Sequence, residues 1–293
     1  MIDYETLMRW PLAPVTQTYA ERDTILYALG LGVARSNPVP SADLPYVYED
    51  APGGLQALPT LAAVLATGAF WMQDPATGID WRRVLHGEQR LEIHRPVPRA
   101  ATVVAEHRVD ALLDKGAGKG AVMLLSRRLY EQRSGDLLAT VGSTVLLRGD
   151  GGFGGRSDGA PRPHPLPDTR PPDLVYDHVT RPEQAMLYRL SGDLNPLHVD
   201  AQIALAAGFA QPILHGMCSY GMAGRAVIAL LCDNDPARLR RLDLRFASPL
   251  FPGETVRTEL WIEAPGRAAF RARVRERDEV ILNNGLAEFK LAA

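Results

Sequence analysis

Residues 188 to 198 read Tyr-Arg-Leu-Ser-Gly-Asp-Leu-Asn-Pro-Leu-His. Asp193 and His198 stand five residues apart with Asn195 between them, and a carboxylate paired with an imidazole can take and return a proton near neutral pH. The plain alternative is a polar turn, because Asp bonds the N–H groups of its own turn and Asn-Pro initiates turns. Farther along, Pro212-Ile213-Leu214-His215-Gly216 puts a second imidazole before an apolar run. His198, Asp200 and His215 make an unconvincing ligand set, so no metal is expected. A serine hydrolase is excluded by the lack of a G-x-S-x-G elbow.

The elements around these residues follow from caps and periodicity. Thr180, with Pro182 and Glu183 behind it, is expected to cap a helix that runs to Leu190 and stops at Ser191-Gly192. Asp200 is expected to cap a short helix stopped by Gly208, and Pro212 to open a longer one. That last run is apolar on nearly every face, which predicts a buried helix. Beyond it the period falls to two: Leu242, Leu244 and Phe246, then Val256 to Ile262, then Ala268 to Val274, then a run over 279–289. These predict antiparallel strands with one face buried.

The 293 residues suffice for two halves of ordinary size. A Gly- then Pro-rich stretch at 149–172 predicts a linker between an N-terminal unit, 1–148, and a C-terminal unit, 173–293. It lacks the Lys-Ser/Thr ending of a phosphate loop. The first half repeats the order of the second. "ILYALG" at 25–30 matches "MLYRLS" at 186–191, "LPTLAAV" at 58–64 can be laid on "QPILHGM" at 211–217, and "RLEI" at 90–93 matches "RLDL" at 241–244. Strand-like runs at 101–110, 121–130 and 137–147 complete it, so a duplication is expected. Under this alignment Gly32 falls on Asp193, Asn37 on His198 and Ala63 on Gly216. A residue needed only for the fold is expected in both copies, so the single-copy set points to function.

A net charge of −2 argues against broad attraction to nucleic acid or an anionic membrane. Cys218 and Cys232, about 21 Å apart along one helix, cannot form a disulfide. No apolar run is long enough to span a membrane, and the setting expected is cytoplasmic.

The motif over 188–198, with Ala206, Gly208-Phe209 and "PILHG" at 212–216, resembles the signature of MaoC-like, R-specific enoyl-CoA hydratases of the hydratase 2 type. "LHGEQ" at 85–89, "DKGAG" at 114–118, "GGFGG" at 151–155 and "RFASPLFPG" at 245–253 extend the likeness over nearly the whole chain. The resemblance implies an α+β double hotdog fold, two curved antiparallel sheets each wrapped around a central helix and joined into one. It also implies a homodimer, a degenerate first half that shapes the tunnel, and reversible hydration of a trans-2-enoyl-CoA to a (3R)-3-hydroxyacyl-CoA.

No cofactor is implied. Asp193 and His198 become the catalytic pair, with the order of proton transfer left open. Asn195 either braces them or orients the water. Leu194, Pro196 and Leu197 of the same loop become substrate contacts, and Gly216 offers its N–H at a helix start to the thioester oxygen. His86-Gly87 and Phe246 are carried over as further contacts; a loop and a core aromatic are their plain alternatives. Only three of the 32 basic residues are Lys. Two of these flank one turn, where Lys115 is assigned to the nucleotide end of the acyl-CoA, although a hairpin turn alone would also explain it. The rivals are a hotdog thioesterase, which would cleave the thioester, and a non-catalytic acyl-CoA-binding subunit.

Overall fold

The computed structural model describes residues 2–167 and 169–292. One antiparallel sheet of ten strands runs through it, in the order β1 (Val15–Tyr19), β3 (Ala101–Asp114), β4 (Ala121–Glu131), β5 (Leu137–Leu147), β2 (Val84–Ile93), β7 (Leu239–Phe246), β10 (Glu279–Phe289), β9 (Arg267–Val274), β8 (Thr255–Ala264) and β6 (Leu174–Val179). Read outward from the middle, the two halves have the same order. At the seam β2 pairs with β7 so that Arg90 faces Asp243, Leu91 faces Leu242 and Glu92 faces Arg241. The matched segments "RLEI" and "RLDL" therefore face each other about a local two-fold centred on Leu91 and Leu242. This is the geometry a duplicated unit gives when it pairs with itself.

Six helices accompany the sheet: α1 (Tyr4–Met8), α2 (Glu21–Gly30), α3 (Leu44–Val47), α4 (Gln184–Tyr188), α5 (Ala201–Ala206) and α6 (Gly216–Leu231). Helix α6 is buried from Cys218 to Ile228, as its all-round apolar pattern predicts. Two glycines let it approach the first half. A Cβ on Gly221 would lie 2.5 Å from Leu31 and 2.9 Å from the Tyr27 hydroxyl, and one on Gly224 would lie 2.6 Å from Thr60. Cys218 and Cys232 are both free and buried.

Three local expectations change. Helix α4 begins at Gln184 rather than after Thr180, because the Thr180 hydroxyl donates to the Glu254 carbonyl and accepts from Gly253 N–H, both at 2.8 Å. The Gln184 side chain takes the Arg181 N–H instead, at 2.9 Å. Helix α6 begins at Gly216 rather than Pro212, because Leu214 N–H donates to the Leu250 carbonyl, which holds the chain extended. The third change concerns the central helix of the first half. The double hotdog is present, but the counterpart of α6 is a 3-10 turn, Pro59–Ala63.

Such a turn leaves buried backbone groups without helical partners, and buried carbonyls require a donor. Arg127 supplies it from β4: its Nη2 donates to the carbonyls of Ala62 at 3.3 Å and Ala63 at 2.8 Å. Burial lowers its pKa to about 10, which leaves it protonated at neutral pH. Gln17 takes the Ala66 N–H and His107 donates to the Ala66 carbonyl. Polar side chains from the sheet thus do what a helix would do for itself.

Residues 149–172 hold no helix or strand among those described, yet they are not loose. The Asp114 carboxylate accepts N–H groups of Gly116, Gly152 and Gly154 at 2.7–2.8 Å. "DKGAG" and "GGFGG", distant in sequence, are therefore one structure. Farther on, the His164 carbonyl accepts from Asn284 and the Arg170 carbonyl from Trp261.

Replacing Arg127 by Met should destabilise the protein by about 2 kcal/mol, the order expected for buried carbonyls left unpaired. Urea denaturation of both proteins checks this, and an unchanged midpoint would remove the capping role.

Candidate active site

Gly192, at a φ of +118°, ends the 3-10 turn that continues α4 and swings the chain outward into Asp193. The Asp193 carboxylate accepts the Asn195 N–H at 3.1 Å, and Asn195 Oδ1 accepts the Leu197 N–H at 3.1 Å. Pro196–His198 is then a single 3-10 turn. The loop is self-braced by the residue types that sequence reading assigned to an ordinary turn, so the turn and the catalytic reading coexist. Asn195 braces; its amide oxygen is engaged locally.

What distinguishes the loop is how it is clipped to the segment before α6. His198 Nδ1 lies 2.8 Å from the Ile213 carbonyl. A carbonyl only accepts, so Nδ1 carries the hydrogen and the neutral ring keeps a bare lone pair on Nε2. That Nε2 lies 3.9 Å from Asp193 Oδ2, too far for a direct hydrogen bond but within reach of one shared oxygen atom. His215 makes the reciprocal link: its Nε2 donates to the Asp193 carbonyl at 3.1 Å. The two imidazoles stack at 3.7 Å between centroids with planes 26° apart. Behind His215 the Tyr188 ring lies at 5.0 Å, and Tyr27 of the first half lies 6.1 Å behind Tyr188.

Exposure is uneven. The His198 side chain is 9% exposed and that of Asp193 50%, so the base is sheltered while the acid meets solvent. Burial, and secondarily His198, holds the pKa of His215 below the ordinary imidazole value. The nitrogens of both histidines and the Asp193 carboxylate lie within 4.8 Å of one another, close enough to suggest a metal. Stacked rings, however, send their in-plane lone pairs side by side rather than toward one point, and His215 Nε2 is engaged as a donor. The set suits proton transfer better than ligation.

A second group forms at the start of α6. Gly216 N–H, first in the helix, has no acceptor within it and sits at the positive end of the dipole. A Cβ on Gly216 would lie 3.2 Å from the Phe246 ring, and His86 packs on that ring at 4.8 Å. His86-Gly87 is a strand irregularity rather than a loop. In the β2–β5 ladder His86 pairs with Val145 and Glu88 with Thr144, leaving Gly87 as the extra residue of a bulge. A bulge re-aims the residue beside it, here bringing His86 onto Phe246. Solvent still reaches His86, yet surrounding protein pushes its pKa down to about 4.

The assigned residues thus fall into two adjoining groups joined by His215-Gly216. Lys115 stands apart. It lies in the β3–β4 hairpin turn, with Nζ on the Ser157 carbonyl, at the sheet end where β2 begins, since Ala121 and Val84 both pair with Leu147. Leu194 points to solvent at 60% exposure. Sequence reading gave His215 no role beyond neighbour. The signal was present in "ILHG", but its stacking on His198 depends on two loops meeting.

A curved sheet around a buried helix, with an acid–base loop in one half only, defines a double hotdog protein of the acyl-thioester type. The MaoC like domain profile matches residues 166–284, and that of the MFE-2 hydratase 2 N-terminal domain matches 17–149. The chain is 40% identical to 3-hydroxyacyl-thioester dehydratase Y of Mycobacterium tuberculosis, covering 94% of each chain. It is 39% identical to the peroxisomal enoyl-CoA hydratase 2 of Arabidopsis thaliana, covering 95% of this chain and 93% of that one. The crystal structure of a MaoC-like dehydratase from Phytophthora capsici superposes with a TM-score of 0.86 at 36% identity, covering 99% of each. The chain belongs to the MaoC-like hydratase 2 family.

As pH falls through the ordinary imidazole range near 6.5, unfolded His215 takes up a proton while the folded residue stays neutral. The unfolded state then binds more protons, so stability falls, on the order of 1–2 kcal/mol between pH 7 and 5. His178, also pushed down to about 4 by burial, adds to the trend. Denaturation midpoints at the two pH values check this, and His215→Asn should weaken the dependence.

Proposed function

We propose that the protein adds water reversibly across the double bond of a trans-2-enoyl-CoA to give a (3R)-3-hydroxyacyl-CoA, with Asp193 and His198 as the catalytic pair. The observation that carries this is the 3.9 Å gap between His198 Nε2 and Asp193 Oδ2, beside the free N–H of Gly216. Water is a weak nucleophile and needs a base. The Nδ1–H bond to Ile213 leaves His198 Nε2 able to accept a proton, while Asp193 accepts the second hydrogen and orients the oxygen toward C3.

As the C3–O bond forms, electrons move through C2 to the thioester oxygen. Gly216 N–H and the α6 dipole stabilise that oxygen. The imidazolium then returns the proton to C2, so the two atoms of water add with no net exchange with solvent. Dehydration is the same path reversed. His86 and Phe246 wall the cleft, and Lys115, at the same sheet end, is assigned to the nucleotide. The assignment extends to a homodimer in a cytoplasmic setting. Met186, Leu190 and Leu194, exposed beside the catalytic loop, offer apolar surface to a second copy.

Incubation with crotonyl-CoA or a longer trans-2-enoyl-CoA should remove the conjugated absorbance without releasing thiol, and chiral analysis should find the 3R product. Thiol release with the double bond retained would make the protein a thioesterase. Acyl-CoA binding with no turnover at any chain length would make it a binding subunit. Asp193→Asn and His198→Ala should each lower kcat by about 10²- to 10⁴-fold with circular dichroism unchanged; near-normal turnover in both would remove the pair.

Gly216→Val should press on Phe246 and block the approach to the N–H. Its kcat should fall by about 10²-fold or more, with a smaller change in KM. An unaltered kcat would remove the oxyanion role.

A further inference from the structure

The loop after α2 is the first half's counterpart of the catalytic loop, with Gly32 standing for Asp193 and Asn37 for His198. It lacks an acid–base pair, yet it still encloses space: with β6 and α6 it forms a pocket of about 330 Å³. Two side chains in its wall are polar and more than nine-tenths buried, Arg225 at 4% exposure and His178 at 7%.

Arg225 places Nη2 on Asp43 Oδ1 at 2.8 Å, while its Nε and Nη1 find no partner among the described residues. His178 Nε2 is equally unpartnered. The ring's bond to the Leu31 backbone puts the hydrogen on Nδ1, so Nε2 offers a bare lone pair. A Cβ on Gly32 would lie 2.5 Å from that nitrogen, and Gly32 has a φ of +85°, so glycine is what admits the imidazole. Buried polar groups are ordinarily satisfied, and three unsatisfied atoms on two walls of one pocket mark a place for a polar ligand.

The charge balance says which kind. Arg225 and Arg35 bring two positive charges and Asp43 one negative. Asp177 on the rim is already matched by Arg257 at 2.8 Å through both oxygens and by Arg275 at 3.2 Å. Burial keeps His178 neutral at pH 7. One positive charge is left over, beside an acceptor nitrogen and the apolar Val33, Pro40 and Tyr176.

We propose that this pocket, on the counterpart of the catalytic loop, binds a small hydroxylated monocarboxylate. The carboxylate meets Arg225 and Arg35, and a hydroxyl donates to His178 Nε2. No bond is made or broken there.

Calorimetric titration with 3-hydroxybutyrate, butyrate and inorganic phosphate tests the assignment. Saturable one-to-one binding of 3-hydroxybutyrate is expected, at least fivefold tighter than butyrate and tighter than phosphate. It should be abolished in Arg35→Glu, whose exposed side chain can be reversed without disturbing the core, and in the paired variant Asp43→Asn with Arg225→Met. It should persist in His198→Ala, which separates this pocket from the catalytic site whatever reaction occurs there. Absence of saturable binding, equal affinity for butyrate or phosphate, survival of binding in both pocket variants, or its loss in His198→Ala would each overturn the proposal.

Discussion

Two imidazole-to-carbonyl hydrogen bonds hold the candidate site together. His198 of one segment donates to Ile213 of the other, and His215 of the second donates back to Asp193 of the first. Each bond fixes a tautomer and a loop at once. The first leaves the His198 lone pair facing Asp193; the second sets the main chain that carries the carboxylate. Because Gly216 follows His215 directly, the same clip places the helix N-terminus beside the acid–base pair. Were either bond lost, a half-exposed loop braced only by its own turns would have to hold catalytic geometry alone.

The clip needs a rigid backing, and the duplicated fold provides it. Helix α6 is the only long buried helix among the described residues, and both halves pack on it: its own sheet on one side, α2 and the Pro59–Ala63 turn on the other. Gly221 and Gly224 make that approach possible. The first half has given up its own helix and satisfies the irregular backbone with Arg127, Gln17 and His107. Tyr27, which aligns with Tyr188, ends up touching it, so the degenerate copy closes the aromatic column behind the catalytic histidine.

Much of this was legible from residue order. Period-two runs located the strands of both halves, because alternation survives wherever one face is buried. Asp200 capped α5 as expected, taking the N–H groups of Gln202 and Ile203. Helix starts were less legible: Thr180 and Pro212 carry start signals that distant partners, Gly253, Glu254 and Leu250, override. The missing helix of the first half was also hidden, since "LPTLAAV" and "QPILHGM" have similar apolar content and the difference lies in what the opposite sheet offers the backbone. Gly87 could be read as a glycine but not as a bulge, which exists only relative to the register of β5.

The sequence by itself determined the chemistry available: a single-copy carboxylate and imidazole in a self-braced turn, a glycine at a helix start, and a duplicated frame with one half stripped of that set. Spacing along the chain suffices there because turns, caps and alternation are local. Only the tertiary structure decided which nitrogen of His198 is free, that His215 stacks on it, that Phe246 and His86 face Gly216, and that the counterpart loop borders a pocket with Arg225 and His178. Those facts depend on hydrogen bonds and contacts between segments far apart in sequence, whose partners are fixed only when the two halves close on one helix.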